Sequence, residues 1–439
     1  MKPMAGDDIF FRNAVKDTTL WAYLAHRYLS WTSRVVSECV LVNVIQCPIL
    51  WRIIDFLLFA TLPLLLSGLF GGGKAMNWCA SAAVLIFPFH DMGTAGWITT
   101  TVTHFWPFWG IFYVAWVIRK LALAEKIHPA AAVLAVPVAV VTGSHEQYAV
   151  IMALLLVLCG VYLWKKHRKP GNVVIFGILA VIDVVSLLVI ALCPGNAGRN
   201  AVSIADLPIY ATFGFGEKLY LGLLSIERVF IANADIVFFL VVLIWTWLVW
   251  EKTKDYCRTF FSAFPLLILF GQTVLRTAYP GLSGLFVMPE EILEWSWSDL
   301  ATWIPMVYLA VTVAAMIYAL YQLFGDDLFT FISVLLVVGC GFGAGMVLGF
   351  MATIYVSGER VYAPLYGILL AVTLFGIYRQ RGVWKGQAAV TVSAGKTETE
   401  ANVNVDAPGQ KASVPSAVFL AALTAVCCAV NVLFIVLSL

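Results

Sequence analysis

Continuous apolar runs close to the about 20 residues that cross a bilayer recur along this chain, each parted from the next by a short polar connection. They lie at 49–70, 77–89, 104–123, 129–143, 148–164, 173–193, 232–250, 259–275, 301–323, 328–355, 362–378 and 416–438. The runs are unbroken rather than alternating, which excludes a transmembrane β-barrel. Charged residues make up only 12% of the chain, whereas soluble domains carry roughly twice that fraction. The expected fold is therefore all-α: a polytopic membrane bundle of about twelve transmembrane helices embedded in the lipid bilayer. Segments 77–89 and 129–143 are short enough to be re-entrant or held inside the bundle.

The cations set the sidedness of this expectation. Lys74, Arg119, Lys120, Lys126, Lys165, Lys166, Arg168, Lys169, Lys252, Lys254, Arg258, Arg379, Arg381 and Lys385 fall on alternate connections, which the positive-inside rule places in the cytoplasm. The net charge of +2 thus reflects segment ends and implies no nucleic-acid partner. Cysteines 39, 47, 79, 159, 193, 257, 340, 427 and 428 mostly sit in apolar runs without CxxC spacing, as small hydrophobes.

Four regions follow: 1–46, an external segment with an acidic pair and an interfacial helix; 47–385, the transmembrane bundle; 386–415, a flexible cytoplasmic linker rich in small and polar residues; and 416–439, a last span. Over 18–45, Trp21, Leu24, Tyr28, Trp31, Val35 and Cys39 recur at helical spacing, with His26, Arg27, Ser30, Ser33, Arg34 and Glu38 opposite. That pattern reads as one helix in the membrane interface. An external N-terminus with no span before it leads us to expect an upstream helix.

On the side opposite the cytoplasmic cations fall the residues that suit chemistry. Asp7 and Asp8, beside Ile9, Phe10, Phe11 and Arg12, offer a carboxylate for general-base work, or form a solvated tail. His90-Asp91 and the glycine-bearing stretch with Trp97, Thr99, Thr101 and His104 suit a pocket that hydrogen-bonds a sugar and stacks on it, or an aromatic belt. Glu146 is a carboxylate between two apolar segments, where ionisable groups are costly. Asn196 and Arg199 in Pro194-Gly-Asn-Ala-Gly-Arg199, Arg360 in Ser357-Gly-Glu-Arg360, Arg276 and Arg34 offer guanidiniums matched to phosphate, or headgroup contacts made by snorkelling. Turn-forming residues place 194–199 at the exit of a span, at the start of a long connection 194–231 that contains a partly amphipathic stretch. The 277–300 connection carries Glu290, Glu291, Trp295 and Trp297. Asp55 and Asp183, inside apolar runs, suit either an ion path in a transporter or a pairing with a neighbouring helix. Paired broken helices and a Walker motif are both missing.

Taken in order, these pieces resemble bacterial GT-C-type integral membrane glycosyltransferases related to serotype-modifying O-antigen glucosyltransferases. The resemblance rests on the acidic pair with its aromatics, Tyr28-Leu-Ser-Trp-Thr-Ser-Arg34, Thr94-Ala-Gly-Trp-Ile-Thr-Thr-Thr101 with His104-Phe-Trp-Pro107, His145-Glu-Gln147, 194–199 and 357–360. It implies a sugar donor on polyprenyl phosphate, a glycan or lipid-linked acceptor, and a site on the outer face of the cytoplasmic membrane. It also places the first-loop acidic residue at Asp7 or Asp8. The helix before the acidic pair and the 386–439 segment depart from the family's pattern.

The expected reaction is inverting glycosyl transfer. Asp7 or Asp8 is the base; Arg199 and Arg360, with Arg34 and Arg276 in reserve, hold the phosphate. His90, Trp97, Thr99, Thr101, His104, Glu146 and Asn196 shape the sugar and acceptor pocket. A divalent metal at the acidic pair is left open, since no ligand set is readable. The competing expectation is a flippase or transporter of a lipid-linked saccharide, which needs the same arginines without chemistry.

Overall fold

Residues 4, 6–93, 95–279, 281, 296–355 and 357–380 are described in the computed structural model of this protein, and among them regular structure is entirely helical. Three short helices lead: α1 (Asp7–Asn13), α2 (Leu20–Ser30) and α3 (Val35–Val44). Then come α4 (Pro48–Leu69), α5 (Lys74–Ile86), α6 (Trp97–Thr100), α7 (Trp106–Ala122), α8 (Pro129–Gly143), α9 (Glu146–Lys165) and α10 (Val173–Ala191). The rest are α11 (Pro194–Asp206), α12 (Phe215–Glu227), α13 (Ile236–Thr253), α14 (Tyr256–Ser262), α15 (Phe264–Phe270), α16 (Arg276–Ala278), α17 (Leu300–Phe324), α18 (Leu328–Met346) and α19 (Ala363–Gln380).

This is a helical membrane protein. Seven described helices, α4, α9, α10, α13, α17, α18 and α19, are long and apolar enough to cross a bilayer, and α14 with α15–α16 forms an eighth candidate bent by 50°. The expected segments 77–89, 104–123 and 129–143 correspond to α5, α7 and α8, of 13, 17 and 15 residues. The linker 386–415, the span 416–438, and Thr94, Glu290, Glu291, Trp295, Arg381 and Lys385 lie outside the described residues.

Burial grades the helices from centre to rim. In α19, 83% of the apolar window is buried, against 11% in α4 and in α10. Ile53, Phe56 and Leu64 of α4, and Val181, Val184 and Leu188 of α10, are exposed. A water-soluble protein rarely exposes so large an apolar surface, whereas a bilayer solvates it. Tryptophan indoles stitch the rim to the interior: Trp51 donates to Thr101 at 2.8 Å, Trp106 to Asp55 at 3.1 Å and Trp109 to Thr61 at 3.0 Å. Asp55 therefore has its partner on a neighbouring helix.

The basic connections meet at one end. Arg119 and Lys120 both pair with Glu125 at 3.0 Å, and Lys252 reaches Asp326 at 2.5 Å. The carboxyl of Asp327 lies within the fields of Lys165 and Arg379. The 326–327 turn, acidic on its own, is thus neutralised by cations from other connections.

The amino-terminal segment departs from the sequence expectation. The chain over 18–45 is two helices rather than one, broken at 31–34. Trp21 is 78% exposed while Glu38 is buried. An amphipathic pattern anticipates an apolar residue such as Trp21 facing lipid but not the burial of Glu38, because it cannot see that Arg27 folds back to hold that carboxylate inside. The guanidinium makes a bidentate pair with that carboxylate (2.8 and 2.6 Å), and Tyr23 adds a hydroxyl at 3.1 Å.

Candidate functional site

The acidic pair splits into two different groups. Asp8 is buried and accepts from the backbone N–H of Thr99 at 2.8 Å and from its hydroxyl at 2.7 Å. Thr99 is the third residue of α6, which runs through a π-turn at Thr101–Phe105 into α7. The Asp8 carboxylate therefore caps that helix from a distant part of the chain and sits on its positive end. Gly96 permits the entry to α6 with a φ of 123°. Asp7 points away from this cap and stays accessible. Partial desolvation raises its pKa above the ordinary carboxylate value, with help from Asp8 and against the pull of Arg360 and Arg27.

Three arginines approach this end of the bundle from different elements. Arg34, in the break between α2 and α3, pairs with Glu146 at 2.7 Å, and Ser33 donates to the same carboxylate at 2.9 Å. Ser37 and Ser144, 2.7 Å apart, tie α3 to the turn that precedes α9. Arg360 sits in the short turn before α19, within the field of Asp7.

Arg199 comes from the segment rich in turn-forming residues, and that segment is helical. Residues 194–206 form α11, lying across α2, and the glycines serve close approach. A Cβ on Gly195 would stand 2.3 Å from the Trp31 nitrogen, and one on Gly198 2.6 Å from the Ser30 oxygen. Both are backbone atoms, so the helices would have to part. Gly195→Ala should cost roughly 1–3 kcal/mol through overpacking, seen as a lower melting temperature of the purified protein, and should shift Arg199 with its helix. Burial, then the charges of Arg34 and Arg27, hold the Arg199 pKa below its usual value. Its Nε has no hydrogen-bond partner among the described residues.

Between these arginines lie two imidazoles. His145 is 1% exposed and His104 7%, with ring centroids 5.1 Å apart. His145 stands in the fields of Arg34 and Arg199, and His104 in those of Arg34 and Arg360. Below them, the Tyr148 ring lies 5.0 Å from that of His145 and forms one end of an apolar cavity of about 490 Å³. Its walls are mainly phenylalanine, leucine, isoleucine and valine from α7, α9, α18 and α19, and it reaches Arg119 and Tyr162 near the basic end.

Other expected site residues have structural partners. Thr99 is committed to Asp8; Thr101 accepts from Trp51 and donates to the Trp97 carbonyl at 2.8 Å. The Trp97 ring covers Gly93, where a Cβ would meet it at 2.8 Å. Glu146 is held by Arg34 and Ser33, and Asn196 donates to the Ile190 carbonyl at 3.3 Å. Arg276 is on α16, outside the coupled group around Arg199.

His90 pairs with Asp91 at 3.1 Å and belongs to a second constellation. Asp91 is buried; desolvation, with Glu359 and Asp235 adding repulsion, pushes its carboxyl up to about 7. Asp235 accepts from Tyr366 at 3.0 Å and from the Phe238 N–H at 2.6 Å. Because Asp91 is protonated in the fold where an unfolded aspartate is ionised, its contribution is complete below about 4 and declines as pH rises toward 7. The melting temperature should therefore fall between pH 5 and pH 8, and Asp91→Asn should flatten that slope. Asp235 gave no sign in the sequence, and Glu359 entered only as the neighbour of Arg360 in Ser357-Gly-Glu-Arg360; only folding brings them to Asp91. Among the described residues no group of three or more His, Cys, Asp or Glu side chains is placed to hold a metal ion.

Compared with known proteins, the chain matches no family model, no curated sequence and no solved structure.

Proposed function

We propose that the protein is a membrane glycosyltransferase of GT-C type, with about twelve crossings, that moves a sugar from a polyprenyl-phosphate donor to a cell-envelope glycan or lipid-linked acceptor. The reaction takes place on the outer face of the cytoplasmic membrane. The observation that carries this reading is the convergence of an accessible carboxylate, Asp7, with Arg360, Arg34 and Arg199 beside an apolar cavity. A lipid phosphate has that composition: an anion for the guanidiniums and a hydrocarbon chain for the cavity.

In the proposed reaction Asp7 takes the proton of the acceptor hydroxyl, whose oxygen bonds to the anomeric carbon. The bond from that carbon to the phosphate oxygen breaks, with inversion, and the electron pair leaves on the polyprenyl phosphate. Arg199 and Arg360 stabilise the phosphate charge, and Arg34, held by Glu146, contributes its remaining N–H groups. Asp8 does not serve as base in this reading, because it is buried and its Oδ1 is taken by the Thr99 N–H and hydroxyl; its role is to present Asp7.

The test uses purified protein in liposomes, a radiolabelled polyprenyl-phosphate hexose and an acceptor extract. Label should enter the acceptor with the wild type and stay on the donor with Asp7→Asn. Label that crosses the bilayer yet stays on the polyprenol would instead identify a transporter and end the transferase reading.

A further inference from the structure

Arg34 and Arg199 would account for an anion site by charge alone, but the group that stands in the fields of both is His145. It is 1% exposed, and neither ring nitrogen has a hydrogen-bond partner among the described residues. Leaving such a group buried and unsatisfied costs about 1–3 kcal/mol, so the imidazole is stationed there at the expense of stability. Its surroundings come from four elements: Arg34 in the α2–α3 break, Glu146 and Tyr148 on α9, Arg199 on α11 and His104 in the π-turn before α7. Nδ1 is 3.9 Å from Glu146 Oε2, too far for a hydrogen bond. That carboxylate is already taken by Arg34 and Ser33.

Burial first, then the two guanidiniums, hold the His145 pKa well below its usual value. The ring is consequently a neutral donor at pH 7, carrying one N–H. Arg199 Nε is a second unsatisfied donor in the same group. Arg34 is 23% exposed and Glu146 26%, so the ion pair beside His145 is partly open. An N–H without an acceptor, set among guanidiniums, is complementary to an oxyanion.

We propose that His145 is a phosphate-positioning residue, donating its ring N–H to an oxygen of the lipid phosphate held by Arg199 and Arg34. This rests on the donor reading given above and adds to it the group that sets where the phosphate sits. Arginine forks bind phosphate in several registers, whereas a buried imidazole on the cap of α9 offers one donor in one direction. The phosphate would be drawn to the layer directly above Tyr148, with its chain entering the apolar cavity.

The experiment measures binding of farnesyl phosphate, with farnesol as the uncharged control, to the full chain in nanodiscs. His145→Phe keeps a flat ring against Tyr148 and His104 but removes the N–H; His145→Gln restores a donor. Farnesyl phosphate should bind His145→Phe roughly tenfold or more weakly, with farnesol unchanged and His145→Gln recovering most of the loss. In ¹⁵N-histidine-labelled wild type, the His145 ring signals should move with farnesyl phosphate and not with farnesol.

Wild-type affinity in His145→Phe, alongside loss in Arg199→Gln, would overturn the role of His145 and leave the donor site standing. Equal binding of farnesyl phosphate and farnesol by the wild type would overturn both. Should His145→Phe fail to fold, unmoved His145 signals in the wild type would be enough to reject the proposal.

Discussion

Under the proposed reaction, Asp7→Asn is expected to slow sugar transfer by roughly 10²–10⁴-fold, the usual contribution of a positioned general base. The purified variant should keep the wild-type melting temperature, because Asp7 is accessible and its backbone N–H bond to the Ala95 carbonyl, at 2.9 Å, survives the change. A base must be ionised to act, and the Asp7 pKa is raised. Transfer by the wild type should therefore fall as pH drops through a value above the ordinary aspartate pKa, and the residual rate of Asp7→Asn should lack that acid limb. Asp8→Asn should show the other pattern: a lower melting temperature from weakened capping of α6, with transfer lost only as far as the site loosens. Equal loss of rate in both variants at unchanged stability would refute the division of labour between the two carboxylates.

The largest effect on stability is expected at Arg27. Its side chain is 13% exposed and that of Glu38 6%, so Arg27→Met strands a carboxylate among apolar and aromatic neighbours. Removing one member of a buried pair costs about 3–5 kcal/mol, and here the guanidinium also lies over the rings of Phe10, Phe11 and Trp31 at 5.5–6.0 Å. Phe10 and Phe11 belong to the same short helix as Asp7, so the damage should reach the site. The double variant Arg27→Met with Glu38→Leu should regain most of the stability, since replacing both charges removes the stranded one; the Tyr23 hydroxyl then forfeits its acceptor. Thermal unfolding of the purified protein decides the matter. A double variant no more stable than Arg27→Met would show that the aromatic contacts, rather than the ion pair, hold this cap.

Much of the architecture is legible because it is local. Run length and the absence of charge identify bilayer-crossing helices one segment at a time, as α4, α9, α10, α13, α17, α18 and α19 illustrate. Arg199 and Arg360 were readable as candidates because each stands in a connection between apolar runs, and Arg34 because it lies on the polar face of the interfacial stretch. Other features misled for physical reasons. Pro194-Gly-Asn-Ala-Gly has the composition of a turn, yet it is helical, its glycines removing side chains where α11 meets α2. The helical spacing over 18–45 suggested one helix in the membrane interface, but the chain breaks at 31–34, and a bidentate ion pair with Arg27 buries Glu38, which the pattern placed on the polar face.

The sequence by itself determined that this chain is helical, that it lives in a bilayer, and that its carboxylates, guanidiniums and imidazoles collect in the breaks between apolar segments. Those properties follow from hydrophobicity and peptide hydrogen bonding within a single segment. Only the tertiary structure decided which aspartate of the pair is accessible, which carboxylate is spent on an arginine, and that His145 is buried within the fields of Arg34 and Arg199. Each of those outcomes depends on groups far apart in the chain. Asp8 meets a helix terminus 91 residues away, and Arg34 meets a carboxylate 112 residues away. No local pattern encodes such a meeting, because the energy that selects it is gained only when the two surfaces close together and exclude water.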